Sequence, residues 1–155
     1  MYNTIIEFLK QENWQYSEIA EKDAIFFGVG GKHGNFQCIA NINDEESKFS
    51  FYSICGSNAP SEKRKLVLEL INDLNNNLDV GNFQIDLEDG EVRFKTGIFF
   101  QSLKTNIQIV ENIILPNLMG MDMALPGIVG LMFGDMTVKQ ALDTIYNESK
   151  NSNNE

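Results

Sequence analysis

Phe83-Gln84-Ile85-Asp86-Leu87-Glu88-Asp89-Gly90-Glu91-Val92-Arg93-Phe94-Lys95-Thr96 is two runs of alternating apolar and polar residues joined at Asp89-Gly90. Alternation at period two sends one set of side chains to a core and the other to water, which is the mark of half-buried strands. Asp-Gly supplies the positive-φ residues of a tight primed turn, so the stretch reads as an antiparallel hairpin. A helical pattern precedes it and more helical runs follow. The expected fold class is therefore α+β. An antiparallel sheet of about five to six strands, a meander plus this hairpin, packs against helices. A wound parallel sheet of the nucleotide-binding kind is not expected.

Working outward towards the N-terminus, residues 60–78 carry Val67, Leu70, Ile71, Leu74 and Leu78 at helical spacing, with Pro60 in the first turn and Gly81 as the stop. Glu62-Lys63-Arg64-Lys65 brings basic charge to the end of that helix where the dipole disfavours it. Before it, residues 48–55 form a strand rich in Phe and Tyr. Residues 35–42 alternate, with Phe36, Cys38, Ala40 and Ile42 on one face, and residues 24–29 form a further strand closed by the turn Gly30-Gly31-Lys32-His33-Gly34. Residues 14–19 read as a short strand, and residues 2–13 as a helix with Ile5, Ile6 and Leu9 on its apolar stripe.

Towards the C-terminus, Thr105–Gln108 and Thr137–Gln140 both fit a capping box. The first opens a run with Ile107, Val110, Ile113 and Ile114, which Pro116 is expected to kink or end. The second opens a closing helix with Val138, Ala141, Leu142 and Ile145. One domain over residues 1–146 and a polar, disordered tail over 147–155 are expected.

Composition narrows the function. Of the 155 residues, 22 are acidic and 12 basic, a net charge of −10. That balance argues against nucleic acid, whose phosphates need clustered Lys and Arg, and against anionic membranes. Apolar content of 43% is enough for a core without metal or disulfide. Cys38 and Cys55 read as small buried side chains of a reduced, cytoplasmic protein. Residues 1–7 show no basic region or cleavage site, so no signal peptide is expected. Residues 118–134 are apolar but short and broken by Asp122 and Pro126, and fail the length test for a membrane span.

No pattern of residues spells out a reaction. In Gly28-Val29-Gly30-Gly31-Lys32-His33-Gly34 no Ser or Thr follows Lys32 and a strand rather than a helix comes next, so it reads as a hairpin turn and not a phosphate loop. Asp86, Glu88, Asp89 and Glu91 read as a solvated acidic turn, since Gly90 stands one place early for a calcium loop. His33 is the single imidazole, set among glycines in a mobile turn, a poor position for a catalytic base. No catalytic residue, metal ligand or cofactor site is assigned. Met119, Met121, Met123, Met132 and Met136 are five of the six methionines. Unbranched Met suits either an irregular core or an adaptable partner surface. With Leu131 and Phe133 they are the candidate partner-binding residues. Gly120, Gly127, Gly130 and Gly134 among them would allow close backbone approach or mobility.

The order helix, meander, long helix, hairpin, C-terminal helices resembles the YbjN-type family of bacterial sensory transduction regulators, whose fold is similar to type III secretion chaperones. The matching residues are Leu74, Leu78, Phe83, Asp86, Asp89, Gly90, Glu91, Val92, Arg93 and Phe94, with looser support from Pro126. The resemblance implies a non-enzymatic regulator or chaperone-like adaptor, often a dimer, that binds a protein through apolar surface. The alternative is an enzyme or small-ligand binder using a pocket between sheet and helices.

Overall fold

A computed structural model describes residues 1–19 and 23–152, with side chains through Glu148. The elements run α1 (Tyr2–Gln11), β1 (Ser17–Ile19), β2 (Ala24–Gly30), β3 (Asn35–Asn43), β4 (Lys48–Cys55), α2 (Arg64–Asn75), β5 (Asn82–Ile85), β6 (Val92–Phe99), α3 (Ile107–Phe133) and α4 (Val138–Ser152). The six strands form one sheet in the order β1-β2-β3-β4-β6-β5, antiparallel throughout. The α+β class and the strand count agree with the sequence reading.

Period-two alternation gives the sheet its two faces. Phe27 pairs with Cys38, Cys38 with Ser53 and Ser53 with Phe94, and this row is buried. The next residues along, Phe26, Ile39, Tyr52 and Lys95, form a row on the opposite face and are half exposed. The helices bury their apolar stripes in the same cluster as the inner row. Phe27 and Phe51 stack at 5.8 Å and Phe83 and Phe94 at 4.4 Å.

The hairpin that announces the fold closes differently from a two-residue primed turn. Pairing stops at Ile85 and Val92, leaving a loop over residues 86–91. The Asp86 N–H donates to Glu91 O and the Gly90 N–H to Asp86 O. Only Gly90 takes a positive φ, of +85°, and a Cβ there would collide with Ala59 O. The Asp86 and Asp89 carboxylates accept from the amides of Glu88 and Glu91, so the acidic residues fold the loop upon itself.

Several helix boundaries move. Helix α2 begins at Arg64 rather than Pro60 and ends at Asn75, before Leu78. The cap of α3 is Asn106, whose side chain accepts from the Ile109 N–H, so Thr105 does not start the helix. The box at Thr137 forms as expected: Gln140 Oε1 accepts from the Thr137 N–H at 2.9 Å and Thr137 Oγ1 from the Gln140 N–H at 3.3 Å. With no Gly or Pro to stop it, α4 continues to Ser152, past the point where a disordered tail was expected to begin.

Pro116 does not end α3, which runs for 27 residues through both Pro116 and Pro126. Each interior proline costs about 3 kcal/mol. Burial of twelve α3 residues, from Val110 to Met132 at helical spacing, outweighs that, since a fully buried large side chain contributes roughly 1.5–3 kcal/mol. By length and composition alone α3 would also cross a membrane, which corrects the shorter apolar run read from sequence, and half of its most apolar window is buried here.

Candidate functional site

The seven candidate residues divide along α3 and the turn that follows it. Met121, Leu131 and Met132 are buried in the core, so of the two roles open to this segment these three take the core and offer no outer surface, which corrects their place among the partner-binding candidates. Helical spacing explains the split: these three share the inner face with Ile114, Leu118 and Ile128. Met119 and Phe133 are exposed, at 62% and 57%. Met123 and Met136 are half-buried. Met136 lies back over Gly130, and Gly127 brings α3 close to α4 because a side chain there would meet Ala141 and Ile145. These two glycines therefore serve close approach.

Met123 stands at the rim of a cleft of about 160 Å³ where α2, β5, α3 and α4 meet. Leu74, Leu78, Phe83, Ala124 and Ile145 give it apolar walls, and Tyr146 stands at its edge. The Tyr146 hydroxyl accepts from Asn77 Nδ2 at 3.0 Å, tying α4 to the end of α2. Met119 and Leu115 lie four and eight residues before Met123 on α3, and both are exposed. Exposed Leu115 and Met119 thus lead along the helix to half-buried Met123 and the cleft. Sequence periodicity could not find this site, because its walls come from four separate elements.

The basic cluster before the cleft has a structural role. Arg64 Nε donates to Ala59 O, and Nη1 to Leu87 O and Glu88 O, so its guanidinium ties α2 to the hairpin loop. Lys63 Nζ donates to Gly134 O just past the end of α3. The α2 side of β5 is closed in a similar way: Asn75 accepts from the Phe83 N–H and donates to Phe83 O, in the manner of a neighbouring strand.

Between the sheet and α3 lies a buried polar group that the sequence does not reveal. Asn117 is fully buried. Its Nδ2 donates to Phe94 O and Thr96 Oγ1, both at 3.1 Å, and its Oδ1 accepts from Ser53 Oγ. Thr96 Oγ1 donates onward to Ile113 O, and Ser53 contacts Cys38 Sγ at 3.7 Å. No buried side-chain polar atom lacks a partner among the described residues, so these groups are spent on one another.

Neither thiol is poised as a nucleophile. Cys38 and Cys55 are free and buried, as expected. Burial pushes the Cys38 thiol up to about 12 against a lowering bond from Ser53, and raises Cys55 as well. His33 faces Asp122 and Glu148 instead of a Ser or Cys, and its turn is anchored rather than mobile. Among the described residues no group of three His, Cys, Asp or Glu side chains is placed to hold a metal ion. A larger hollow of about 490 Å³, near Asn41, Lys48 and Tyr52, is open and polar.

The comparisons with known proteins agree with this architecture. The model of the YbjN family, described as "Putative bacterial sensory transduction regulator", matches residues 2–111. No curated protein matches the chain. Among solved structures, the one described as "Crystal structure of YbjN, a putative transcription regulator from E. coli" is similar in fold, with a TM-score of 0.50 and 12% identity over 98% of this chain and 93% of that one. The family match ends five residues into α3, whereas the structural likeness extends over the remaining helices. On the strength of a match to more than half its length, the chain belongs to the YbjN family.

Proposed function

We propose that this member of a regulator family is a non-enzymatic, chaperone-like adaptor of the cytoplasm that docks a protein partner on the apolar strip of α3. The observation that carries the reading is the exposure of Met119 beside a cleft walled by Leu78, Met123 and Tyr146. A cleft of about 160 Å³ is well below the roughly 300–1,000 Å³ of small-molecule pockets. It suits one large side chain of a peptide. Flexible Met at the rim lets the surface repack around different side chains. The enzyme alternative needs a pocket of roughly 300 Å³ or more between sheet and helices, lined by Phe and Tyr with convergent polar groups. Against it, the cleft there is smaller, and the buried Ser53, Thr96 and Asn117 are bonded to one another.

The test is photo-crosslinking in cells from a benzoylphenylalanine placed at Met119, with the same probe at exposed Lys139 as the control position. The expected result is a discrete protein adduct from position 119, lost when Met123 is changed to Lys. Equal labelling from both positions, or none from 119, contradicts the reading. A second copy of the chain is one admissible partner, and light scattering identifies it.

A further inference from the structure

The single histidine lies where three elements meet. Pro126 has no amide hydrogen, so the carbonyl four residues earlier in α3, that of Asp122, lacks its helical donor. His33 Nδ1 lies 3.1 Å from that oxygen and 3.3 Å from Asp122 Oδ2. The Asp122 carboxylate accepts from the backbone N–H groups of Lys32 and His33, at 3.2 and 2.9 Å. A side chain on Gly31 would overlap that carboxylate. On the other side of the ring, Nε2 lies 3.1 Å from Glu148 Oε2 of α4. The His33 side chain is only 14% exposed.

Both ring nitrogens therefore face oxygen acceptors. A neutral imidazole donates from one nitrogen, an imidazolium from both. We propose that His33, Asp122 and Glu148 form a proton-operated clasp, in which protonated His33 ties α4 to the 30–34 turn and to mid-α3, and deprotonation breaks the bond between His33 and Glu148. The break falls at Glu148 because Nδ1 retains its hydrogen for the carbonyl that Pro126 leaves without a donor. Nε2 then presents a lone pair to a carboxylate, and the hydrogen bond between His33 and Glu148 is lost. Among the described residues the charged groups facing the ring are Asp122 from α3, Glu148 from α4 and Lys32 from its own turn, with Lys32 Nζ 3.8 Å from the same Glu148 oxygen. Lys32 also faces Glu148, so it softens the transition without removing it.

The sign follows from the donors. The clasp is closed while His33 is protonated and opens as pH rises through its titration. Glu148 lies two residues past Tyr146 of the cleft wall, so opening the clasp loosens that wall. This consequence rests on the docking reading; the clasp itself does not.

The test uses the full chain. Imidazole ¹⁵N shifts of the one histidine give its titration, and amide hydrogen exchange over residues 144–148, corrected for intrinsic rates, gives the state of α4. The expected result is a roughly three- to tenfold loss of protection as His33 deprotonates, the size of one charge-assisted bond at a partly exposed site. His33→Gln, which cannot titrate, and Glu148→Gln, which can accept or donate, should show no such pH dependence. Unchanged protection across the wild-type titration, or the same dependence in His33→Gln, overturns the clasp. Crosslinking from position 119 reads docking separately, so failure of one leaves the other standing.

Discussion

Replacing Asn117 by Ala should cost far more than an ordinary polar substitution. The side chain is fully buried and makes three good hydrogen bonds, to Phe94 O, Thr96 Oγ1 and Ser53 Oγ. At about 1 kcal/mol net per bond, plus the space left by the lost amide, the expected loss is about 3–4 kcal/mol. For a chain of this length that lowers Tm by roughly 10 °C. Thermal and urea denaturation followed by circular dichroism measure both quantities. Asn117→Leu separates volume from bonding: it refills the site but leaves Ser53 and the strand carbonyls facing an apolar group, so it should lose at least as much. A double-mutant cycle with Ser53→Ala should return a coupling of about 1 kcal/mol. A loss below about 1 kcal/mol for Asn117→Ala, or wild-type stability for Asn117→Leu, would refute the argument that this group fixes α3 on the sheet.

Other substitutions probe the remaining supports. Gly90→Val places a β-branched residue at φ +85° against Ala59 O and should cost about 2–3 kcal/mol by denaturant titration. Arg64→Met removes three bonds to loop carbonyls and should speed amide exchange over residues 87–91, with a stability loss of about 1–2 kcal/mol. Because burial raises the Cys38 thiol from 9.0 to about 12, the unfolded chain releases its proton first. Stability should fall from about pH 9 towards 12, by up to about 1.4 kcal/mol per pH unit from this residue, and Cys38→Ala should flatten that slope. In the folded protein at pH 8 both thiols should resist a disulfide reagent that labels them rapidly in denaturant.

The strands were legible because alternation survives wherever one face is wet: Phe36, Cys38, Ala40 and Ile42 all point inward as read. Thr137 and Gln140 announced α4 because their bonds are local. What local pattern could not show was decided by tertiary contact. Pro116 stops an isolated helix, but burial on both sides of it carries α3 through. The box at Thr105 is one residue out of register: Asn106, the better N-cap type, makes the capping bond to the Ile109 N–H. Asn117 looks like any polar residue until the sheet supplies its partners. His33 was read as loosely held because its anchors lie 89 and 115 residues away in sequence. The methionines share a composition but divide by face, and sequence clustering blurred that division.

The docking claim meets its most direct test in methyl NMR of the methionines, titrated with the partner that crosslinks from position 119. Buried Met121 and Met132 serve as internal controls for the rim residues Met119 and Met123. The account predicts that the Met119 and Met123 methyls shift or broaden at stoichiometric partner while Met121 and Met132 hold their positions. Unmoved methyls at 119 and 123, with shifts instead on the outer sheet face around Tyr52, Arg93 and Lys95, would contradict it.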